Sequence, residues 1–194
     1  MKPLDSSYWD GLYQKKQTGW DIGYPSPAII EYFKQVKNKS IKILIPGAGN
    51  AWEAEKLWNM GFNQVYILDF SQEAVSAFKI RVPDFPDSQI LIEDFFKHEG
   101  LYDIIVEQTF FSSLPSSYRE LYASKVHSLL KPQAKLIGLL FNHIFSFKGP
   151  PFGGTPQEYR FLFANYFHFQ VFNIAYNSIK PRQGREHFLL LRKK

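Results

Sequence analysis

Cysteine is absent from this chain of 194 residues. Its absence excludes disulfides, thiolate metal sites and cysteine nucleophiles, and it is typical of proteins in a reducing compartment. The five histidines stand at positions 98, 127, 143, 168 and 187, and none of them is closely paired with another. We therefore expect no metal site.

Long apolar runs are also missing. No segment has the roughly 18 consecutive apolar residues that a membrane-spanning helix needs, and residues 1–20 lack the features of a secretory signal. The net charge of +5 and the pI near 9.2 fit either a nucleic-acid partner or a basic surface that attracts small anions. The composition alone does not choose between these two. We expect a cytoplasmic protein.

Aliphatic runs and amphipathic segments alternate along the chain. The runs cover 43–45, 65–68, 90–92, 103–106 and 135–141, and the helix candidates cover 26–37, 51–60, 71–80 and 115–130. Because Pro132 cannot continue a helix, the last candidate should end near Lys131. Two further strand-like runs, FQVFNIAY and HFLLLR, follow a helix near 156–165. The pattern predicts one α/β domain with a seven-stranded, mostly parallel sheet, an antiparallel C-terminal edge strand and helices on both faces.

The turn PGAGN follows the first predicted strand, where ligands of such sheets bind. Gly47 and Gly49 would let the backbone approach a ligand closely. No GK[ST] sequence follows, which excludes a P-loop, and Trp52 stands where a dinucleotide fingerprint has its third glycine. A nucleoside ligand without phosphates, such as S-adenosylmethionine, fits the turn better.

Polar residues follow the next three predicted strands. Asp69 ends the second, about 20 residues beyond the turn, and could accept hydrogen bonds from ribose hydroxyls or cap the next helix. Asp94 could accept a hydrogen bond from the adenine amino group while Phe95 covers the adenine ring. Alternatively, Asp94 could begin a turn and Phe95 could be a core residue. Glu107 and Gln108 end the fourth strand and also invite a functional interpretation.

Four stretches together resemble the thiopurine, thiol and halide methyltransferase family, which uses S-adenosylmethionine. They are YWDGLYQKKQTGWDIGYPSPAI, IPGAGNAWEA, DIIVEQTFFSSLP, and KGPPFGGTPQEYRFLF followed by KPRQGRE. The resemblance covers most of the chain, and its most specific part is the pair of motifs Trp-Asp-x-Gly and Gly-Pro-Pro-Phe. It departs from relatives at Tyr13, where halide-type members have Trp, and at Gln108, where relatives have Tyr or Arg.

The resemblance implies a class I methyltransferase fold, in which residues 1–38 form a helical cover over the cofactor and residues 39–194 form a Rossmann-like core. Trp9, Tyr13 and Trp20 match positions of cofactor-contacting aromatics. The predicted cofactor-binding residues are Trp9, Tyr13, Trp20, Gly47, Ala48, Gly49, Asn50, Asp69, Phe70, Asp94, Phe95, Glu107 and Gln108. The predicted acceptor-pocket residues are Phe110, Phe111, Phe147, Phe152, Arg182 and Arg185.

The predicted function is methyl transfer from S-adenosylmethionine to a small nucleophile, either a thiol or thiopurine sulfur, hydrosulfide or a halide, with S-adenosylhomocysteine as product. Such a reaction needs no general base, and no residue is assigned as one. The alternatives are a catalytically silent S-adenosylmethionine-binding protein, a nucleic-acid amino-methyltransferase, a methyltransferase acting on another small-molecule acceptor and an NAD-dependent oxidoreductase. The second would need an Asn/Asp-Pro-Pro-aromatic motif after the fourth strand, where EQTF stands. We expect a monomer with no membrane or nucleic-acid partner.

Overall fold

The computed structural model describes residues 4–194, and a seven-stranded sheet runs through them. The strands are β1 (Ile43–Pro46), β2 (Val65–Leu68), β3 (Ile90–Leu91), β4 (Tyr102–Gln108), β5 (Leu130–Phe141), β6 (Phe167–Ile174) and β7 (Glu186–Lys193). Their order is β3-β2-β1-β4-β5-β7-β6, and β7 is antiparallel to both of its neighbours. The predicted fold class is confirmed, with β7 inserted between β5 and the edge strand β6.

Seven α-helices accompany the sheet in this part of the chain. They are α1 (Ser6–Gln14), α2 (Pro27–Lys34), α3 (Trp52–Asn59), α4 (Gln72–Arg81), α5 (Phe110–Ser113), α6 (Arg119–Leu129) and α7 (Pro156–Ala164). Side-chain caps fix three starts: the Asp5 side chain accepts from the Tyr8 amide before α1, the Ser71 side chain accepts from the Ala74 amide before α4, and Thr155 and Glu158 form a capping box before α7. Across residues 4–194, none of these helices has the length and apolar character needed to cross a membrane.

The core lies on both faces of the sheet, because successive strand residues point in opposite directions. Ile43 and Ile45 of β1 pack in a cluster with residues of α2, α3 and α4, whereas Leu44 packs with residues of α6 and α7. The continuous apolar runs of the central strands are therefore explained by burial on two sides.

The boundary between α6 and β5 differs from the prediction. The helix ends at Leu129, two residues before Lys131, and β5 begins immediately at Leu130. The register against β4 shifts here, since Tyr102 pairs with Leu130 but Ile104 pairs with Lys135. Pro132 lies in this irregular part of the strand, where no regular ladder needs its missing amide hydrogen.

The strands β1, β2 and β4 end at the same edge of the sheet. At this edge the buried carboxylate of Glu107 holds the chain that leaves β4. Glu107 of β4 accepts hydrogen bonds from the Phe111 amide at 2.8 Å and from the Tyr122 hydroxyl at 2.6 Å. It thereby joins β4 to α5 and α6. Burial raises the pKa of Glu107 to about 7.

We expect this shift to make stability fall with rising pH. Between the ordinary pKa of 4.5 and the native value of about 7, the unfolded chain loses the Glu107 proton while the folded chain keeps it. The free energy of unfolding of the native protein, minus that of Glu107→Gln, should decrease across this window and level off above it. Urea titrations at a series of pH values measure the difference; a difference independent of pH would contradict the assignment.

Candidate functional site

A cavity of about 580 Å³ opens at the edge where β1, β2 and β4 end. Ten of the predicted cofactor-binding residues line it, from the N-terminal helix, the glycine turn and the strand ends. They are Trp9, Tyr13, Trp20, Gly47, Ala48, Gly49, Asn50, Asp69, Phe70 and Gln108. The size and concave shape are those of a small-molecule site.

The glycine turn is enclosed from two sides. Gly47 and Gly49 have φ values of +57° and +54°, which favour glycine. A Cβ atom on Gly47 would lie 2.2 Å from the Phe110 ring, and one on Gly49 would lie 2.6 Å from the Tyr13 hydroxyl. Both glycines are therefore required by backbone conformation and by the close packing of α5 and α1.

Asp69 holds this turn in place. Its carboxylate accepts from the Gly49 amide at 2.8 Å and from the Ser71 amide at 2.9 Å. Burial raises the Asp69 pKa, and these backbone hydrogen bonds oppose the rise. Ser71 itself caps α4, so the helix does not need Asp69 as its cap. Each oxygen keeps a further lone pair for a ligand, and the ribose role stays a prediction.

Aromatic rings from the chain's beginning form a wall of the cavity. We call residues 6–24 the N-terminal cover. The Trp20 ring packs edge-on against Trp9 at 5.2 Å and against Tyr13 at 5.8 Å between ring centroids. The cover is fastened to α4, because the Ser71 hydroxyl donates to Asp10 at 2.6 Å.

Asp21 ties the cover to the glycine turn. It accepts hydrogen bonds from the Trp52 indole N–H at 2.8 Å, from the Gly23 amide at 2.8 Å and from the Asn50 side-chain amide. The Arg81 guanidinium stacks over the Trp52 ring at 3.9 Å. Trp52 thus links the glycine turn to the N-terminal cover. From the sequence, Trp52 only indicates that the dinucleotide fingerprint, which has glycine at this position, does not apply.

Two further charged residues of the lining are buried. Glu53, in the first turn of α3, accepts from the Ser26 amide at 2.8 Å, and burial raises its pKa. Arg182 donates to the Trp20 carbonyl oxygen at 2.7 Å and to Glu186 at 3.4 Å. The sequence did not lead us to predict Glu53 or Asp21 as site residues. The only sequence signal for them is their place in two motifs, Asp21 in Trp-Asp-x-Gly and Glu53 in IPGAGNAWEA.

The structure separates the predicted acceptor-pocket residues. Phe110 and Arg182 line the cavity, but the other four do not. Phe111 is buried against Tyr122, the side chain of Phe147 is largely exposed, Phe152 contacts α5 through its amide, and Arg185 bonds His143. Residues of the same chain segments that were not predicted also line the cavity, namely Ser112, Ser113, Phe141, Phe145, Pro150 and Pro151.

Three predicted cofactor-binding residues lie outside the lining. Asp94 is exposed, and its carboxylate accepts from the Phe96 amide at 2.9 Å. Phe95 is buried in the core, 5.1 Å from the Phe110 ring between centroids. Glu107 is buried beneath α5, as described above. The roles assigned to these residues from the sequence stay predictions.

The lining defines the chemistry available in the cavity. Within the described range it includes no histidine and no lysine, and residues 4–194 hold no cluster of potential metal ligands. Its charged side chains are three carboxylates, Asp21, Glu53 and Asp69, and one guanidinium, Arg182. Aromatic rings surround them. The site is built to bind and orient a ligand in apolar surroundings.

Comparison with known proteins places this geometry among methyltransferases. The model of the thiopurine S-methyltransferase family matches residues 4–188. A probable thiol methyltransferase of Arabidopsis thaliana is 28% identical over 96% of this chain and 84% of its own length. A thiopurine S-methyltransferase of Acinetobacter baylyi is 26% identical, with 83% of this chain and 84% of its own length covered.

Solved structures agree on the fold. The 1,6-didemethyltoxoflavin-N1-methyltransferase of Burkholderia thailandensis, with bound S-adenosylhomocysteine, has a TM-score of 0.77 at 16% identity and covers 97% of this chain and 87% of its own. The magnesium protoporphyrin IX methyltransferase of Synechocystis, with bound S-adenosylmethionine, has a TM-score of 0.75 at 13% identity and covers 100% of both chains.

Replacing Gly49 with Ala should loosen the N-terminal cover. The added methyl group would lie 2.6 Å from the Tyr13 hydroxyl, so the Tyr13 ring must give up its place against the turn. Hydrogen exchange of the amides in α1 should then become faster by about tenfold or more. Gly61→Ala is the matched control, because Gly61 has a φ of +87° and open space around it. Equal exchange of α1 in both variants would disprove the contact.

Proposed function

The chain belongs to the thiopurine S-methyltransferase family and is an S-adenosylmethionine-dependent methyltransferase, and from that premise we propose that its acceptor is a small sulfur or halide nucleophile. Thiols, thiopurines, hydrosulfide and halide ions make up this class. The observation that carries the proposal is the aromatic lining, which contains no histidine or lysine among the residues that the structure describes.

The cavity fits the methyl donor on two points. The glycine turn leaves room that a Cβ atom would fill, which suits close contact with a nucleoside. The Gln108 side-chain oxygen is buried and has no hydrogen-bond partner within residues 4–194, which leaves it available to a ligand. Asp69 would hold the ribose, and Trp9, Tyr13 and Trp20 would cover the cationic centre. When bound, the donor supplies an electrophilic methyl group on a sulfonium.

Exclusion of water is the main contribution of the pocket walls. A thiolate or halide and a sulfonium carry opposite charges that cancel as the methyl group transfers, so water stabilises the separated reactants more than the transition state. Phe110, Phe141 and Phe145 line the acceptor end and keep it apolar. The reactants are then aligned in a dry site, which lowers the barrier without proton transfer.

Arg182 is the group that would attract an anionic acceptor. It is buried, its guanidinium lies 5.5 Å from the centre of the Phe141 ring, and only two of its N–H groups bond other residues in the described chain. Glu186 balances part of its charge in an ion pair of 3.4 Å, and its remaining N–H groups can donate to an anion. Arg185 lies outside the lining and is a weaker candidate.

A panel of acceptors tests the proposal. Release of S-adenosylhomocysteine should be measured with thiophenol, a thiopurine, hydrosulfide and iodide, and with phenol and aniline as matched oxygen and nitrogen controls. We expect turnover with the sulfur or halide nucleophiles at least about a hundredfold faster than with phenol or aniline, because phenol and aniline are neutral, weaker nucleophiles and the described part of the lining offers no imidazole or amine to deprotonate them. Faster turnover of phenol or aniline would reject this acceptor class.

Replacing Asp69 with Ala should weaken binding of S-adenosylhomocysteine by about 1–3 kcal/mol through lost hydrogen bonds to ribose and to the glycine turn. Isothermal titration calorimetry measures the affinity. Asp84→Ala is the control, since Asp84 is exposed and outside the cavity lining. An unchanged affinity in Asp69→Ala would remove Asp69 from the binding site.

A further inference from the structure

The three carboxylates of the cavity differ in the number of hydrogen bonds that they accept from the protein. Asp21 accepts three hydrogen bonds and Asp69 accepts two from backbone amides. Glu53 accepts one from another residue, the Ser26 amide, through one oxygen. Among residues 4–194, no other residue donates to its second oxygen.

Glu53 is nevertheless buried, with only 6% of its surface exposed. A buried carboxylate without a charged partner is costly, and the start of α3 offsets only part of that cost. The contact with Ser26 needs an oxygen acceptor but not a negative charge. The structural role of Glu53 therefore does not explain why the residue is ionisable.

The nearby guanidinium does not satisfy Glu53 directly. Arg182 lowers the Glu53 pKa by its charge, but burial has the larger effect and raises it. The hydrogen bonds of Arg182 go to Glu186 and to the Trp20 carbonyl oxygen instead. Glu53 thus lines the cavity with a carboxyl oxygen that accepts no hydrogen bond from another residue of the described chain.

We propose that Glu53 binds the α-ammonium group of the donor's amino-acid part. The inference rests on the proposed donor site. An ammonium group has N–H bonds to donate and keeps its charge throughout the reaction. The sulfonium has no N–H and loses its charge, so a carboxylate beside it would stabilise the reactant more than the transition state and slow the transfer.

The test compares the affinities of three ligands by isothermal titration calorimetry. S-adenosylhomocysteine has both the ammonium and the carboxylate, its decarboxylated analogue keeps only the ammonium, and 5′-methylthioadenosine has neither. Glu53→Gln should bind the first two about tenfold or more weakly than the native protein does, and the third within about twofold. Glu31→Gln is the control, because Glu31 pairs with Lys34 on the surface of α2, outside the cavity lining.

The outcomes separate this inference from the proposed function. An equal loss for all three ligands, or no loss for any, would show that Glu53 does not read the ammonium group. S-adenosylmethionine, titrated in the same way as a fourth ligand, tests the sulfonium: a loss for it but not for S-adenosylhomocysteine would assign Glu53 to the sulfonium and overturn the proposal. A native protein that binds none of the ligands would reject the donor site itself. The affinities of the three ligands are compared within one variant. Partial unfolding of that variant would weaken the binding of all three ligands alike, so it would not produce the selective loss that we expect.

Discussion

The hydrogen bonds that Asp21 accepts from Trp52 and Asn50 connect the two halves of the site. Without them, the aromatic N-terminal cover and the glycine turn would be joined only by packing and by contacts through α4. A partly buried carboxylate that accepts three hydrogen bonds is a directional link, whereas contacts between aromatic rings fix orientation less strictly. The shape of the cavity depends on this link, because its floor is the turn and one wall is the cover.

The charges of the cavity fit a reaction in which charge disappears. The lining holds the carboxylates of Asp21, Glu53 and Asp69 together with aromatic rings that include Phe110, Phe141 and Phe145, and we propose that these rings surround the acceptor. A site of low dielectric constant strengthens the attraction between opposite charges and solvates separated ions poorly. The lining residues found within 4–194 include no histidine or lysine, and we propose that binding and alignment are what the pocket contributes.

Much of the fold could be predicted because its signals are local. The aliphatic runs mark the strands, and the glycine turn marks the ligand-binding edge.

Other features of the site could not be predicted from local patterns. The hydrogen bond from Trp52 to Asp21 joins residues 31 positions apart, so no local pattern indicates it. Glu53 and Glu55 are both acidic residues near the start of α3, yet one is buried in the cavity and the other pairs with Arg81. Periodicity in so short a segment does not separate them. Likewise, the adjacent rings of Phe110 and Phe111 point to the cavity and to the core, a difference that depends on the direction in which α5 leaves β4.

The central claim is that an adenosyl ligand without phosphates binds between the glycine turn and the N-terminal cover. A crystal structure with S-adenosylhomocysteine tests it most directly. The account predicts the ribose within hydrogen-bonding distance of Asp69 and the ligand enclosed by Trp9, Tyr13 and Trp20. A ligand bound elsewhere, or a cover docked away from the turn in the complex, would contradict it.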